Sequence, residues 1–232
     1  MQIVGHRGVK ALCSENTMPS FQMALDYGLD GIEVDVWRTI DGHLVLIHDE
    51  TVDRTTNGHG KVTLMTLDEL RMLDAGGLGT EGFVPVPLLS EFLALMSGKG
   101  LLCNIEMKDK RLDVLDQTVA LIQEYDVLDN LVITSFHPEV TKRAEDKHGL
   151  KTQGFPKNLY GDRFVDDVYS HMHAVGIPMA DLTPESAAYH KSLGLEAWAW
   201  CPDTHDAVVH AKATGASLIT VNDPRPAIEI LR

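Results

Sequence analysis

Short apolar segments recur along this chain, separated by stretches with helical spacing. Ile3-Val4-Gly5, Ile32 to Val36, Leu44 to His48, Leu102 to Glu106, Val132 to Ser135, Lys151 to Gly154, Ala174 to Ile177, Leu195 to Trp200 and Leu218 to Val221 read as strands. Ser14-Glu15-Asn16-Thr17 offers helix caps before Phe21, Ala24 and Leu25, and Gly28 supplies a stop. Further helices are expected over 88–96, 112–125, 138–148, 184–193 and 204–214. This βα alternation predicts an α/β fold built on a mostly parallel sheet or barrel, and a (β/α)8 TIM barrel commonly runs to this length as one unit. Nine candidate strands exceed the barrel's eight. One of them, expected among the later ones, must lie outside it. The link from Trp37 to His43 is too short for a crossover helix and carries the turn signal Asp41-Gly42, so the second and third strands pair as a hairpin or are joined by an extended return.

Between Asp49 and Pro87 the alternation breaks. Thr51 to Gly60 is turn-rich, Gly76-Gly77-Leu78-Gly79 reads as flexible, and one short helix is expected near Leu67 to Leu73. Residues 49–87 are therefore expected to be a small cap inserted after the third strand, within a single domain spanning 1–232. In that cap Leu64, Met65, Leu67, Leu70 and Met72 read either as a helix seat or as an apolar mouth.

Strand parity brings chemistry into this picture. In Gly31 to Val36 the apolar Ile32, Val34 and Val36 share one face, so Glu33 and Asp35 share the other. Leu101 to Lys108 repeats the pattern, with Ile105 and Met107 opposite Glu106 and Lys108. Like charges brought together out of water cost several kcal/mol unless neutralised, and a hard divalent cation on oxygen ligands is the usual remedy. Glu33, Asp35 and Glu106 thus read as a metal site. His6 and His48 each end an apolar strand. Arg7, between His6 and the permissive Gly8, stands where a planar cation could grip a phosphate. Two histidines, an arginine and carboxylates are a parts list for breaking a phosphodiester.

Composition narrows the partners. The chain has 232 residues, 44% of them hydrophobic, and 20 basic against 34 acidic residues give a net charge of −14. That balance argues against nucleic acid or an anionic membrane surface as a partner. An anionic small molecule would need the local charge of Arg7, Lys108 and a divalent ion. No segment approaches the roughly 18 apolar residues of a membrane span, and the first strand begins at Gln2 with no room for a signal peptide, so a cytoplasmic location is expected. Three cysteines, Cys13, Cys103 and Cys201, imply neither a disulfide framework nor a zinc knuckle. His171-x-His173 is a weak metal motif with no evident third ligand, and His171, His173 and His190 are expected on helix or loop surfaces.

The chain resembles the glycerophosphodiester phosphodiesterase family over almost its whole length. The matching residues are His6-Arg7-Gly8, Glu15-Asn16-Thr17, Glu33-Val34-Asp35-Val36, Thr39 with Asp41-Gly42, His48-Asp49, Arg54-Thr55-Thr56, Pro87-Leu88 with Glu91, Ile105 to Lys108, Ser135-Phe136 and Trp198. The resemblance implies a (β/α)8 barrel with His6 and His48 as the acid/base pair. It also implies that Glu33, Asp35 and Glu106 bind one Mg2+ or Ca2+, that Arg7 and Lys108 hold the substrate phosphate, and that a small glycerophosphodiester is the substrate. There are departures. Ser14 replaces a proline before Glu-Asn-Thr. Trp198 fits the family's Trp-Thr-x-Asn stretch, with Ala199 and Cys201 in place of the threonine and asparagine. Val221 to Pro224 stands where Thr-Asp-x-Pro or Thr-Asn-x-Pro is usual. These touch the substrate-facing wall, for which Trp198 is the candidate residue. Trp37 could likewise stack on the substrate. Three other functions share parts of this set: a lysophospholipase D-like hydrolase with an apolar mouth, a phosphoinositide-cleaving enzyme, which would need more basic residues, and a non-catalytic phosphodiester-binding barrel. Oligomeric state is not legible.

Overall fold

The structure, a computed structural model, describes residues 1–77 and 82–232. The expected flexibility of Leu78-Gly79 lies outside the described residues. Nine strands are present among the described residues: β1 (Gln2–His6), β2 (Gly31–Arg38), β3 (Leu44–Leu46), β4 (Leu102–Met107), β5 (Leu131–Thr134), β6 (Lys151–Gly154), β7 (Ala174–Pro178), β8 (Glu196–Trp200) and β9 (Leu218–Val221). The helices are α1 (Met18–Asp26), α2 (Leu67–Arg71), α3 (Leu89–Met96), α4 (Leu112–Ile122), α5 (Pro138–His148), α6 (Lys157–Tyr160), α7 (Pro184–Ser192), α8 (His205–Ala213) and α9 (Arg225–Leu231). Neighbouring strands run β1-β9-β8-β7-β6-β5-β4-β2, and β1 pairs with β2 to close an eight-stranded parallel barrel, as expected.

The supernumerary strand is β3, not one of the later strands. β2 is eight residues long, and β1 covers only its first half, pairing His6 with Glu33. β3 takes the same edge higher up, antiparallel, with Leu46 opposite Val36. A tight turn makes this possible: the Gly42 amide donates to Thr39 at 3.2 Å, and Gly42 has φ +92°, a conformation that suits glycine. The hairpin alternative is the one found, and it carries His48 back over the barrel mouth.

β3 and the residues after it form a second, smaller core. Val45, Ile47, Val52, Val62, Leu70, Ala75 and Val86 are buried together, with Trp37, Met65 and Leu67 packed against them. A capping box at Thr66 and Glu69 starts α2. Met65, Leu67 and Leu70 thus serve as the seat, whereas Leu64 and Met72 stay exposed. Trp37 donates from Nε1 to the His48 carbonyl at 3.2 Å, which ties β2 to the segment after β3.

Parity sorts the barrel interior into layers. Val4, Val132, Ala174, Trp198 and Leu218 form an apolar layer near the strand starts. One step up, Thr134 donates to Asn104 at 2.6 Å and Asn104 to Gln153 at 2.9 Å, all three buried. Gly176 leaves room there, since a Cβ at that position would lie 2.3 Å from Gln153 Nε2. The third layer is the charged one. No helix among the described residues is long and apolar enough to cross a membrane.

Candidate active site

A cavity of about 140 Å³ opens at the carboxyl ends of the strands, lined by His6, Arg7, Glu33, His48, Glu106 and Lys108, with Asn104, Thr134, Gln153 and Thr220 as its floor. In α/β barrels this is the end that carries chemistry. A larger hollow of about 480 Å³ beside Lys157, Tyr169 and Tyr189 lies outside the barrel and holds none of these groups.

Register brings the three acids together: Glu33 pairs with Asn104 and Asp35 with Glu106, so all three carboxylates rise on adjacent strands. One oxygen from each lies within 4.8 Å of the others, and all three residues are buried. Glu33 Oε1 and Asp35 Oδ1 have no hydrogen-bond partner. Lys108 donates to Glu106 Oε1, and its Nζ stands 3.1 Å from Asp35 Oδ1 without hydrogen-bond alignment. Arg7 Nε is 3.3 Å from Asp35 Oδ2. Burial, then repulsion from Asp35 and Glu106, pushes Glu33 well above the usual carboxylate range. Burial also raises Glu106. Burial acts upward on Asp35 too, but Lys108 and Arg7 outweigh it and hold that carboxyl down. With all three acids ionised, Arg7 and Lys108 leave one negative charge unbalanced, and two acceptor oxygens are vacant. The donor set fits a hard divalent cation.

Arg7 is held rather than free. Its backbone has φ +53°, in the left-handed region, and its amide donates to Glu33 Oε2 at 2.9 Å. Nη1 donates to Glu15 at 2.8 Å. Glu15 accepts two further bonds from Arg54, at 2.8 and 2.9 Å, and Arg54 Nε reaches Asp49 at 2.6 Å. Asp49 Oδ1 is 2.6 Å from His48 Nδ1. One chain of opposite charges therefore links Arg7 to His48. Asn16, also at positive φ, donates to Asp35 at 2.7 Å and accepts from the Asp35 amide at 3.3 Å.

The two histidines differ in partner. His6 Nδ1 lies 2.6 Å from Asn222 Oδ1 and its Nε2 is 3.9 Å from Glu33 Oε2. Burial and the Arg7 and Lys10 charges push His6 down to about 3. His48 is also lowered by burial, against the opposing charge of Asp35 and the bond to Asp49.

Trp198 does not form the wall. It sits in the apolar layer near the strand starts, where its Nε1 donates to Glu196 at 2.9 Å. Its inward neighbour two residues on, Trp200, lines the cavity instead. Phe136 and Phe155 complete that side, stacked with ring centroids 3.5 Å apart, and Phe155 meets Trp200 edge-on at 6.4 Å. Trp200, Phe155, the Asn104-Thr134-Gln153 floor and Asn222 were not singled out as site residues by sequence reasoning. The inward parity of β4, β5, β6, β8 and β9 is the signal that could have found them. His190 is another departure: it is buried rather than on a surface, with Nδ1 2.7 Å from the Ser186 carbonyl. His171 meets Glu145 at 3.1 Å and Asp146 at 3.3 Å, but Lys142 Nζ lies 3.1 Å from its other nitrogen. His173 faces the Thr152 amide.

Residues 6–224 match the glycerophosphoryl diester phosphodiesterase family. The chain is 34% identical to a glycerophosphodiester phosphodiesterase of Caldanaerobacter subterraneus subsp. tengcongensis, over 99% of this chain and 97% of that protein. Its fold is similar to the crystal structure of a glycerophosphodiester phosphodiesterase from Agrobacterium tumefaciens C58, with a TM-score of 0.82, 27% identity and coverage of 97% and 98% of the two chains. An Oleispira antarctica phosphodiesterase, solved with the product sn-glycerol-3-phosphate, shares the fold at a TM-score of 0.87 and 22% identity over 99% of this chain and 96% of that one.

Proposed function

The chain belongs to the glycerophosphoryl diester phosphodiesterase family, and from that premise we propose that it hydrolyses small glycerophosphodiesters, such as glycerophosphocholine and glycerophosphoethanolamine, to glycerol 3-phosphate and an alcohol. The observation that carries the reading is the buried cluster of Glu33, Asp35 and Glu106, two of its oxygens unpartnered, in one cavity with His6 and His48. Glu33, Asp35 and Glu106 would hold one Mg2+ or Ca2+, which when bound supplies positive charge that acidifies a ligated hydroxyl and balances the phosphate. Arg7 and Lys108 border the same cavity and contribute the remaining cations for a phosphate oxygen.

The unequal partners of the histidines support an order of events. His6, facing a neutral amide and kept uncharged at neutral pH by burial, has an unprotonated ring nitrogen free to accept a proton from the attacking glycerol hydroxyl. His48 shares its Nδ1 proton with the Asp49 carboxylate, which works against the lowering by burial and stabilises the imidazolium, and so His48 serves to protonate the departing alcohol. The hydroxyl oxygen bonds to phosphorus as the ester bond to the leaving alcohol breaks, giving a cyclic phosphate. Water then opens that ring with the two histidines in exchanged roles. The wall of Phe136, Phe155 and Trp200 borders the space left for the alcohol.

The test is release of glycerol 3-phosphate from both substrates with Mg2+, with Ca2+ and with chelator, for wild type and for Glu33→Ala, His6→Ala and His48→Ala. Each histidine variant is expected to lose about 10²- to 10⁴-fold in rate, and Glu33→Ala to lose its response to the ion. Turnover that persists in chelator would remove the metal from the scheme, and a histidine variant with wild-type turnover would falsify the two-histidine reading.

A further inference from the structure

For His6 to take a proton through Nε2, its own proton must reside on Nδ1, and something outside the ring has to enforce that choice. The groups behind His6 come from three consecutive barrel positions: Asp203 just beyond β8, Asn222 just beyond β9, and His6 at the end of β1. Asp203 Oδ1 accepts the backbone amides of Asn222, at 2.7 Å, and Asp223, at 3.2 Å. Asp203 Oδ2 accepts from Asn222 Nδ2. Asn222 Oδ1 stands 2.6 Å from His6 Nδ1.

We propose that Asp203 and Asn222 are a positioning pair that fixes the His6 tautomer, with Asp203 setting the orientation of the Asn222 amide and the amide oxygen fixing the proton on Nδ1. The proposal rests on the reading of His6 as a proton-transfer group. The far end of this hydrogen-bond chain cannot be reversed. Backbone amides only donate and a carboxylate only accepts, so Asp203 is anchored as an acceptor on both oxygens. The side-chain amide of Asn222 must then turn its nitrogen to Asp203, which leaves its oxygen facing the imidazole. An oxygen 2.6 Å from a ring nitrogen is repelled unless that nitrogen carries hydrogen. Nε2 is left with its lone pair toward the cavity, on the side of Glu33.

Cys201 offers the competing arrangement. Its Sγ is 3.3 Å from the same Nδ1, and a thiol hydrogen could be given to an unprotonated Nδ1. That would leave Asn222 Oδ1 against a lone pair at the shorter distance, so the sulfur is the secondary contact. Without Asp203 the amide could turn over, its nitrogen could donate to Nδ1, and the ring would switch to the Nε2–H form, which cannot accept a proton where the chemistry needs it. In a Ser-His-Asp triad an aspartate-to-asparagine exchange that allows the wrong tautomer costs about 10⁴-fold. Here the carboxylate is one residue further from the ring, and a loss on the order of 10- to 100-fold in kcat is expected.

The experiment combines ¹⁵N imidazole spectra of the full-length protein near neutral pH with kinetics on glycerophosphocholine, for wild type, Asp203→Asn and His6→Ala. Wild-type His6 should carry its proton on Nδ1. Asp203→Asn should show a share of Nε2–H ring and a kcat reduced by about 10- to 100-fold, with KM changed less than about twofold because neither residue of the pair is among those lining the cavity. A wild-type ring protonated on Nε2 overturns the proposal without any variant, whether or not Asp203→Asn folds. So does an Asp203→Asn protein with the wild-type tautomer and kcat, while His6→Ala is inactive. If His6→Ala retains turnover, it is the two-histidine reading that fails, and the spectra still decide the tautomer.

Discussion

Glu15 joins two arginines, and its protonation should govern how firmly they are held. Its side chain is 14% exposed and accepts one bond from Arg7 and two from Arg54. Burial alone would raise this carboxyl, but the Arg54 and Arg7 bonds and charges outweigh it and lower it from 4.5 to about 2. At about 1.36 kcal/mol per pKa unit the depression corresponds to roughly 3 kcal/mol. Arg54 is half exposed, at 48%, so solvent screening reduces the figure to about 2 kcal/mol. Because the folded-state value lies below the unfolded one, the unfolded chain takes up the proton first as pH falls. The contribution is therefore complete above about pH 5, declines between about 4.5 and 2, and is gone below that.

Glu15→Gln removes the titration while keeping the shape. Urea unfolding of the two proteins at pH 7 should differ by about 2 kcal/mol, or roughly 4–8 °C in Tm for a chain of this size. At pH 2.5 most of the difference should have vanished, since the remaining carboxylates titrate alike in both proteins. A gap that stays constant across that range, or no gap at pH 7, would refute the assignment of this carboxylate as a charged strut.

Three other substitutions follow from the same geometry. Asp49→Asn keeps a hydrogen-bond partner for His48 but loses the charge that favours the imidazolium, and kcat should fall about 10- to 100-fold while the Tm changes little; an unchanged kcat would remove Asp49 from the chain of positioning contacts. The two inward tryptophans of β8 should separate function from stability. Trp200→Ala should lower kcat/KM for glycerophosphocholine by about tenfold through lost contact with the alcohol. Trp198→Ala should instead cost about 3–5 kcal/mol of stability and spare kcat/KM in the folded fraction, and the reverse pattern in steady-state kinetics and urea melts would place the wall where Trp198 is.

Parity made much of the site legible. A period of two needs only a few consecutive residues, so Glu33, Asp35, Glu106 and Lys108 could be aimed inward before their strands had neighbours. The (β/α)8 barrel was legible for the same reason, because its strands are short apolar runs separated by helices. What escaped depends on information that no single segment holds. β3 reads as apolar as its neighbours, and its exclusion comes from the length of β2, whose upper edge is left uncovered where β1 ends. Asn222 and Asp203 matter only because β8, β9 and β1 are adjacent, Asn222 standing 216 positions along the chain from the His6 that it touches.

Trp198 shows the limit most clearly. Parity placed it inside the barrel, and it is inside; parity cannot tell one layer from the next, because residues two apart share a face. Height in a barrel is set by stagger between strands, which is a property of the pairing. Opposite Leu218, Trp198 is level with the apolar layer; opposite Thr220, Trp200 is level with the cavity floor. The strand's advance of about 3.3 Å per residue puts the two positions roughly 7 Å apart along the strand. That step separates a side chain that fills the core from one that borders the substrate's cavity, and it explains why the charged layer sits on polar Asn104, Thr134 and Gln153 rather than on the indole of Trp198.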